Sequence, residues 1–429
     1  MGELSVLIEQ RGSLRGEIKV PGDKSISHRA ILFGSLAKGT TEIDGFMMGE
    51  DCLSTIDCFR KMQVSIEILP ENKIKIQGNG LYGLKPPGTQ LNAGRSGTAL
   101  RLLLGVLSGQ PFSSVLTRNE ESIRKPVGKV VVPLREMGAN ISGRENGNLC
   151  PLLITPSKLT GKTHSISILD TYIKSPLLIA GLYADGETTV IEAAKSRDHS
   201  ELMLNYFGAD IRVNGLEVTS HRVENLFAQH IQIPGDISIA AYFITAGLIV
   251  PNSDIVIKDV GINPTRAGIL DVYKSMGANI EILNQRTVNN EKIADIRVVS
   301  SNLKGTTIEG DIIPRLIDEI PIITVAAAMA EGTTTIKNLT GFKTKESGKL
   351  KKMLTELAKL GATVVETDDG AIIEGKGALK GTIVEGHNDA AITMSLCIAG
   401  LAAAEETTIR KTQILDIVYP DFIPVLNKL

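Results

Sequence analysis

Six times along its 429 residues the chain repeats one phrase: a small-residue helical stretch, a Gly or acidic turn, then Thr-rich alternation. The copies are LAKGTTEIDGF, LSGQPFSSVLTRN, LYADGETTVIEAA, IVPNSDIVIKDVG, MAEGTTTIKNLTG and LAAAEETTIRKT, spaced by about 70 residues. A second phrase follows most of them: EMGANI at 136–141, YFGADI at 206–211, SMGANI at 275–280 and KLGATV at 359–364. Arg60-Lys61-Met62-Gln63 is a weaker first copy. Each unit therefore reads as helix, tight turn, strand, second helix, Gly turn and strand. The Gly after the second helix predicts a left-handed cap. Alanine-rich stretches such as Thr324–Ala330 and Ala399–Ala404 are apolar nearly all round, which predicts buried helices. A unit of this size makes a poor core alone. Packed in threes around shared buried helices, six units make an α/β protein of two similar domains.

The charges nearly cancel, 46 basic against 48 acidic, so no cationic field points to a nucleic-acid or anionic-membrane partner. Aromatics are 4% and Trp is absent, which argues against a base-stacking platform. The longest apolar runs, about Ile239–Val250 and Ile320–Ala330, are too short to span a bilayer. The first residues do not read as a signal peptide. Cys52, Cys58, Cys150 and Cys397 are scattered without a CxxC pair, which predicts buried thiols in a reducing compartment. The six histidines are dispersed with no HExxH, so metal-ligand spacing is absent. A cytoplasmic monomer acting on small molecules is the expectation.

The densest motif is Pro21-Gly22-Asp23-Lys24-Ser25-Ile26-Ser27-His28-Arg29-Ala30. Pro-Gly turns the chain, Ser25 or Ser27 is expected to cap the next helix, and a helix start carrying Lys24 and Arg29 is a natural anion site. Ile233-Pro234-Gly235-Asp236-Ile237-Ser238 repeats the turn without cations, so the turn is architectural and the added charges point to function. Gly94-Arg95-Ser96-Gly97-Thr98-Ala99-Leu100-Arg101 is a Gly-rich turn entering a helix; it lacks the Walker pattern but is able to cradle an anion. A purely structural turn fits it equally well. Arg124 and Lys125 precede a helix expected to start at Pro126, and Ser196-Arg197-Asp198-His199 follows a strand, where loops carry ligand groups. In the second half, Asp318 sits before a very apolar helix, where it suits either the helix N-terminus or a general base on a hydroxyl. Glu346 lies among Lys343, Lys345 and Lys349, as an acid/base group or as part of a solvated face. Asp389 is a candidate cap for the last alanine-rich helix.

In their order along the chain, PGDKSISHRA, IKSPLLIAGLYA, AKSRDHSE, NPTRAGILDV and IPRLIDEIPI resemble the 5-enolpyruvylshikimate-3-phosphate (EPSP) synthase branch of the enolpyruvyl transferases, over essentially the whole chain. The resemblance implies a two-lobed, inside-out α/β barrel of six βαβαββ repeats, three per lobe. Residues 1–22 would join 235–429, and 23–234 would form the other lobe, with the active site in the cleft between them. It implies transfer of the enolpyruvyl group of phosphoenolpyruvate (PEP) to a hydroxyl of shikimate 3-phosphate, without metal or cofactor, on the pathway to aromatic amino acids. Lys24 would touch both substrates. Ser25 and Arg29 would hold the shikimate ring and its carboxylate, with Thr171 and Tyr172 beside them, and Ser196 would contact the phosphate. Asp318 would take the hydroxyl proton, Lys345 would bind ring hydroxyls, and Glu346 would move a proton at the methylene carbon.

Departures from the family pattern gather at the PEP side. The family's Lys-Glu-Ser-Asp-Arg is here Lys345-Glu346-Ser347-Gly348-Lys349, and its Asp-His-Arg is Asp389-Ala390-Ala391. Its Arg-Pro is Lys125-Pro126, and its Asn-Ser-Gly or Asn-Ala-Gly is Arg95-Ser96-Gly97. Lysine does not reproduce a bidentate guanidinium fork, so PEP use would be weakened unless Arg95 or Arg124 compensates. Asp170-Thr171-Tyr172 replaces Ser-Ala-Gln or Ser-Ser-Gln, and an ionised Asp170 would repel a phosphate. Two alternatives stand beside the transferase: a PEP-independent elimination of water or phosphate from a shikimate-type ring, and a non-catalytic binding protein.

Overall fold

The apolar stretches form six buried helices: Lys24–Leu36, Gly97–Ser108, Lys174–Gly181, Ile237–Ile249, Ile320–Met329 and Ala390–Ala402. The computed structural model describes residues 4–339 and 343–429, the side chains of 343–347 excepted. Residues on every face of these helices are buried, including Ala240, Ala241 and Phe243 on one and Ile322, Ile323 and Val325 on another. Such a helix cannot rest on a single sheet; it needs neighbours all round.

The chain divides into two compact units. One is Gly22–Ile233 with Val288–Glu291, and holds the first three helices; the other is Met1–Pro21, Pro234–Thr287 and Lys292–Leu429, and holds the last three. Each has its own continuous apolar core.

One sheet pattern recurs. Thr163–Ile166 runs parallel to Thr188–Glu192, which pairs antiparallel with Glu217–Ser220, which pairs antiparallel with Ile211–Asn214. Leu91–Asn92, Ser114–Thr117, Leu149–Thr155 and Asn140–Gly143 repeat it, as do Thr307–Ile308, Glu331–Ile336, Ala371–Lys376 and Thr363–Glu366. In the sixth sheet Ile383–Glu385 runs parallel to Thr407–Arg410, whose other edge is taken antiparallel by Ser5–Ile8 from the start of the chain. The Thr-rich strands alternate as their sequence requires: in Glu331–Ile336, Thr334 and Ile336 point into the core.

Aspartates, not serines, cap the helices at the Pro-Gly turns. Asp23 accepts from Ile26 N at 2.8 Å, and Asp236 from Ser238 N at 2.8 Å. The expectation for Ser25 or Ser27 fails because Asp23 already has the extended backbone a cap needs; Ser27 Oγ instead accepts from Met47 N at 3.1 Å. Asp389 caps the last buried helix, accepting from Ala391 N at 2.9 Å and Ile392 N at 3.1 Å. The helix after Pro126 begins at Gly128, later than expected. All four cysteines are buried thiols.

The expected left-handed turns are present: Gly138, Gly208, Gly277 and Gly361 have φ between 79° and 102°. The weaker first copy places Gln63 at φ 63°. A side chain there costs about 1–2 kcal/mol, more than the flexibility penalty of a glycine. Gln63→Gly should therefore raise the melting temperature. Gly277→Ala, whose added β-carbon would meet nothing within 4 Å, should lower it by backbone strain alone. The opposite order of the two melts would contradict this account.

Candidate active site

Two clusters of polar side chains stand at the starts of buried helices, one in each unit. In the unit of residues 22–233, Lys24 pairs with Asp51, its side chain partly exposed. One turn on, Arg29 is buried and threaded through hydroxyls: Nε donates to Ser200 Oγ at 2.7 Å, Nη2 to Ser175 Oγ at 2.9 Å and Nη1 to the Ser25 carbonyl at 3.0 Å. Its guanidinium is thus fixed by neutral partners, which leaves its charge to act on a ligand. His28, between them, is fully buried, with Nδ1 2.8 Å from Thr55 Oγ1 and Nε2 3.2 Å from Ser96 Oγ. Burial, reinforced by Lys24, pushes its pKa down to about 3, so the ring is neutral at any working pH.

Beneath Arg29 lies a buried ionic network. Lys174 Nζ is 2.6 Å from Glu201 Oε1 and 3.1 Å from Glu192 Oε2. Ser196 donates to Glu192. A buried lysine needs such partners, and burial in turn raises the Glu201 pKa against the pull of Lys174. His199 Nδ1 stands 2.6 Å from Glu291 Oε1.

The residues expected to flank the ring lie at the start of the third buried helix. Thr171 and Tyr172 form a short turn before it. Tyr172 offers its ring to Arg101, whose guanidinium carbon is 4.9 Å from the centroid. Asp170 is not a bare charge: it accepts from Lys129 Nζ at 2.7 Å, Ser167 Oγ at 2.8 Å and the Tyr172 hydroxyl at 3.3 Å. Burial works against its ionisation, but Lys129 and the hydrogen bonds win and hold the pKa below the usual carboxylate value. The repulsion expected of Asp170 is answered by a cation 41 residues away in sequence.

At the Gly-rich turn, Ser96 caps the Gly97–Ser108 helix by accepting from Ala99 N at 3.1 Å. Arg95 is half-exposed and pairs with Glu121 at 3.4 Å. Arg124 and Lys125 are exposed.

In the other unit, Asp318 lies in the turn Ile317–Glu319 that enters the Ile320–Met329 helix. Arg266 organises its surroundings. It is buried, with Nη1 3.0 Å from Glu319 Oε1 and 3.6 Å from Asp318 Oδ2, and Nη2 3.6 Å from Asp236 Oδ1 and bonded to Ser238. Tyr242 sits within this group, and burial beside these carboxylates and Asp389 holds its hydroxyl fully protonated. Lys349 Nζ is 3.4 Å from Asp389 Oδ2. Lys345 and Glu346 belong to the helix Lys343–Lys359, and their side chains lie outside the described residues.

Over residues 8–426 the chain matches the family model described as EPSP synthase (3-phosphoshikimate 1-carboxyvinyltransferase). It is 49% identical to the 3-phosphoshikimate 1-carboxyvinyltransferase of Thermoanaerobacter sp. (strain X514), covering 99% of this chain and 100% of that one. The chain belongs to the EPSP synthase family. It is likewise 48% identical to the enzyme of that name from Geobacillus kaustophilus, over 97% of this chain and 98% of the relative. A solved EPSP synthase from Acinetobacter baumannii superposes with a TM-score of 0.93 at 39% identity, covering 100% of this chain and 98% of that one. The α/β architecture is therefore that of the EPSP synthases, and the chain is an enzyme of the enolpyruvyl transferase class. These likenesses support the transferase reading and neither the elimination nor the binding-protein alternative. No helix among the described residues is long and apolar enough to cross a membrane.

Sequence reasoning passed over four residues, three of them members of these clusters. Glu192 and Glu201 are separated from Lys174 by 18 and 27 positions, and no local motif joins them. Arg266 stood inside a quoted motif without a role. Arg118 followed a strand unnoticed; a lone arginine closing the alternation Val115-Leu116-Thr117 was the available signal.

The His199–Glu291 pair yields a pH prediction. Burial opposes the imidazolium, but the Glu291 charge and hydrogen bond outweigh it, so the folded pKa stands above 6.5. A raised folded value means stabilisation that is complete below about pH 6.5 and is lost as pH climbs through the folded pKa. The stability advantage of the wild type over His199→Gln, followed by urea unfolding, should shrink from about pH 6 to about pH 8. An advantage that grows over this range would refute the assignment.

Proposed function

We propose that this protein transfers the enolpyruvyl group of PEP to the 5-hydroxyl of shikimate 3-phosphate, giving EPSP and inorganic phosphate. The observation that carries the proposal is the full-length likeness to 3-phosphoshikimate 1-carboxyvinyltransferases, and the cationic cluster around Lys24 and Arg29 is suited to two anionic substrates.

In this reading Arg29, fixed by Ser175 and Ser200, receives the shikimate carboxylate beside Ser25, and Thr171 and Tyr172 flank the ring. Ser196 contacts the ring phosphate, for which it would turn from Glu192. Lys24 exchanges Asp51 for the substrates. Asp318 accepts the hydroxyl proton as the oxygen attacks C2 of PEP, while Glu346 delivers a proton to the methylene carbon C3. A tetrahedral adduct results. In the second step C3 returns a proton to Glu346 and the C–O bond to phosphate breaks, which restores the double bond. Lys345 holds ring hydroxyls. Gly97, Arg95, Arg124, Lys125 and Lys349 remain candidates for the PEP anion. We further propose that residues 1–22 with 235–429, and 23–234, act as the two lobes, and that the enzyme works as a cytoplasmic monomer.

Incubation with shikimate 3-phosphate and PEP, followed by mass spectrometry and phosphate assay, should give a product heavier by the enolpyruvyl group only when PEP is present. Phosphate or water loss without PEP would overturn the reading. Lys24→Met and Glu346→Gln should each abolish turnover. Ala390→His with Ala391→Arg should lower the KM for PEP.

A further inference from the structure

The start of the Gly97–Ser108 helix holds two arginines that the roles above leave unused. A β-carbon built on Gly97 would lie 2.8 Å from Arg101 Nη1 and 3.1 Å from Arg118 Nη2. Both guanidinium groups therefore crowd the space that the missing side chain leaves open. Arg118 is 7% exposed, and its Nε has no hydrogen-bond partner. Among the described residues neither arginine makes an ion pair with a carboxylate, in contrast to Arg95, which pairs with Glu121. Arg101 lies over the Tyr172 ring. Burial and the neighbouring charge of Arg118 bring Arg101 down to about 10, so Arg101 stays a cation near neutral pH.

Two adjacent cations without a counter-charge, Arg118 buried and Arg101 partly buried, are costly. Arg101 Nη1 and Arg118 Nη2 both approach the first residue of a twelve-residue helix, whose Ala99 amide is already taken by Ser96. A small oxyanion there would satisfy the unpaired donors and cancel the repulsion. It would also receive a forked guanidinium contact, which Lys125 in the same unit does not offer.

We propose that Arg118, with Arg101 and the helix start at Gly97, forms an oxyanion site that binds the carboxylate or phosphate group of PEP. The proposal rests on the transferase reading for the identity of the ligand, and on geometry alone for the site. Arg118 thus becomes a binding and specificity residue for the enolpyruvyl donor.

Calorimetric titration of the full-length protein with PEP, inorganic phosphate and pyruvate, alongside thermal melts, tests this in wild type, Arg118→Met and Arg118→Lys. PEP should bind wild type and weaken about 10–100-fold in Arg118→Met, the range expected for a lost charged hydrogen bond, with Arg118→Lys between. Parallel loss of phosphate binding assigns the phosphate end to the site, and parallel loss of pyruvate binding assigns the carboxylate end. The ligand-free Arg118→Met protein should melt no lower than wild type, because it sheds an uncompensated cation; a purely structural arginine would melt lower. Unchanged PEP affinity in Arg118→Met, no anion binding by wild type, or a clear fall in the ligand-free melt would each overturn the site. Product formation with shikimate 3-phosphate is followed separately. Its absence in wild type would sink the transferase reading while leaving Arg118-dependent anion binding standing.

Discussion

No repeat in this chain can cover its own first helix. Ile237–Ile249 and Ile320–Met329 are apolar on every side, and a four-stranded sheet shields only one face. Each unit must therefore bring three such helices together, and the rest follows from that demand. The last sheet takes an edge strand from residues 5–8, so the start of the chain is folded into the unit that also holds its end. Helix starts then become the places where backbone N–H groups, left over by helix geometry, lie beside irregular loops.

Those starts are furnished differently in the two units. In the unit of residues 22–233 cations are added to them: Lys24 beside the Asp23 cap and Arg29 a turn later on the first buried helix, Arg101 in the second turn of the second, and Lys174 on the third. In the other unit they carry carboxylates: Asp236, Asp318 with Glu319, and Asp389. Helix-end electrostatics favour the carboxylates and disfavour the cations. The acidic starts are thus ordinary structural choices that also supply a candidate base, and Arg266 holds their charges together. A cation in the first turn, as at Lys24, runs against local stability and so carries the stronger indication of function. Lys174 is the exception, because Glu192 and Glu201 neutralise it within the core.

What the sequence disclosed was what is encoded locally. The repeats, the buried helices, the left-handed glycines and the Asp389 cap all arise from residues within a few positions of one another. The cap at Asp23 was misassigned to serine because several residue types fit a cap and only the backbone angle chooses among them. The partners of Lys174, of Asp170 and of His199 were illegible, since each ion pair closes a loop of 18 to 92 residues. Reading Asp170 as a lone repulsive charge was the natural consequence: a sequence shows a charge but not its counter-charge. The roles of Lys345 and Glu346 rest on motif alone.

The same limitation explains how a family pattern can look eroded in one dimension and less so in three. Counting family arginines along the chain records a loss at Lys125, Lys349 and Ala391. It does not record a guanidinium that reaches the Gly97 helix start from a different strand end. An arginine gains value as an anion ligand by being buried, forked and unpaired, and none of these is a property of its position in a motif. Arg95, the more visible candidate, is half-exposed and matched to Glu121; Arg118 is enclosed, with an orphaned Nε. An uncompensated buried cation lowers the stability of the empty protein, and selection tolerates such a cost where a ligand repays it on binding. On that physical ground the donor site is better sought at Gly97 and Arg118 than at the surface arginines that sequence comparison brings forward.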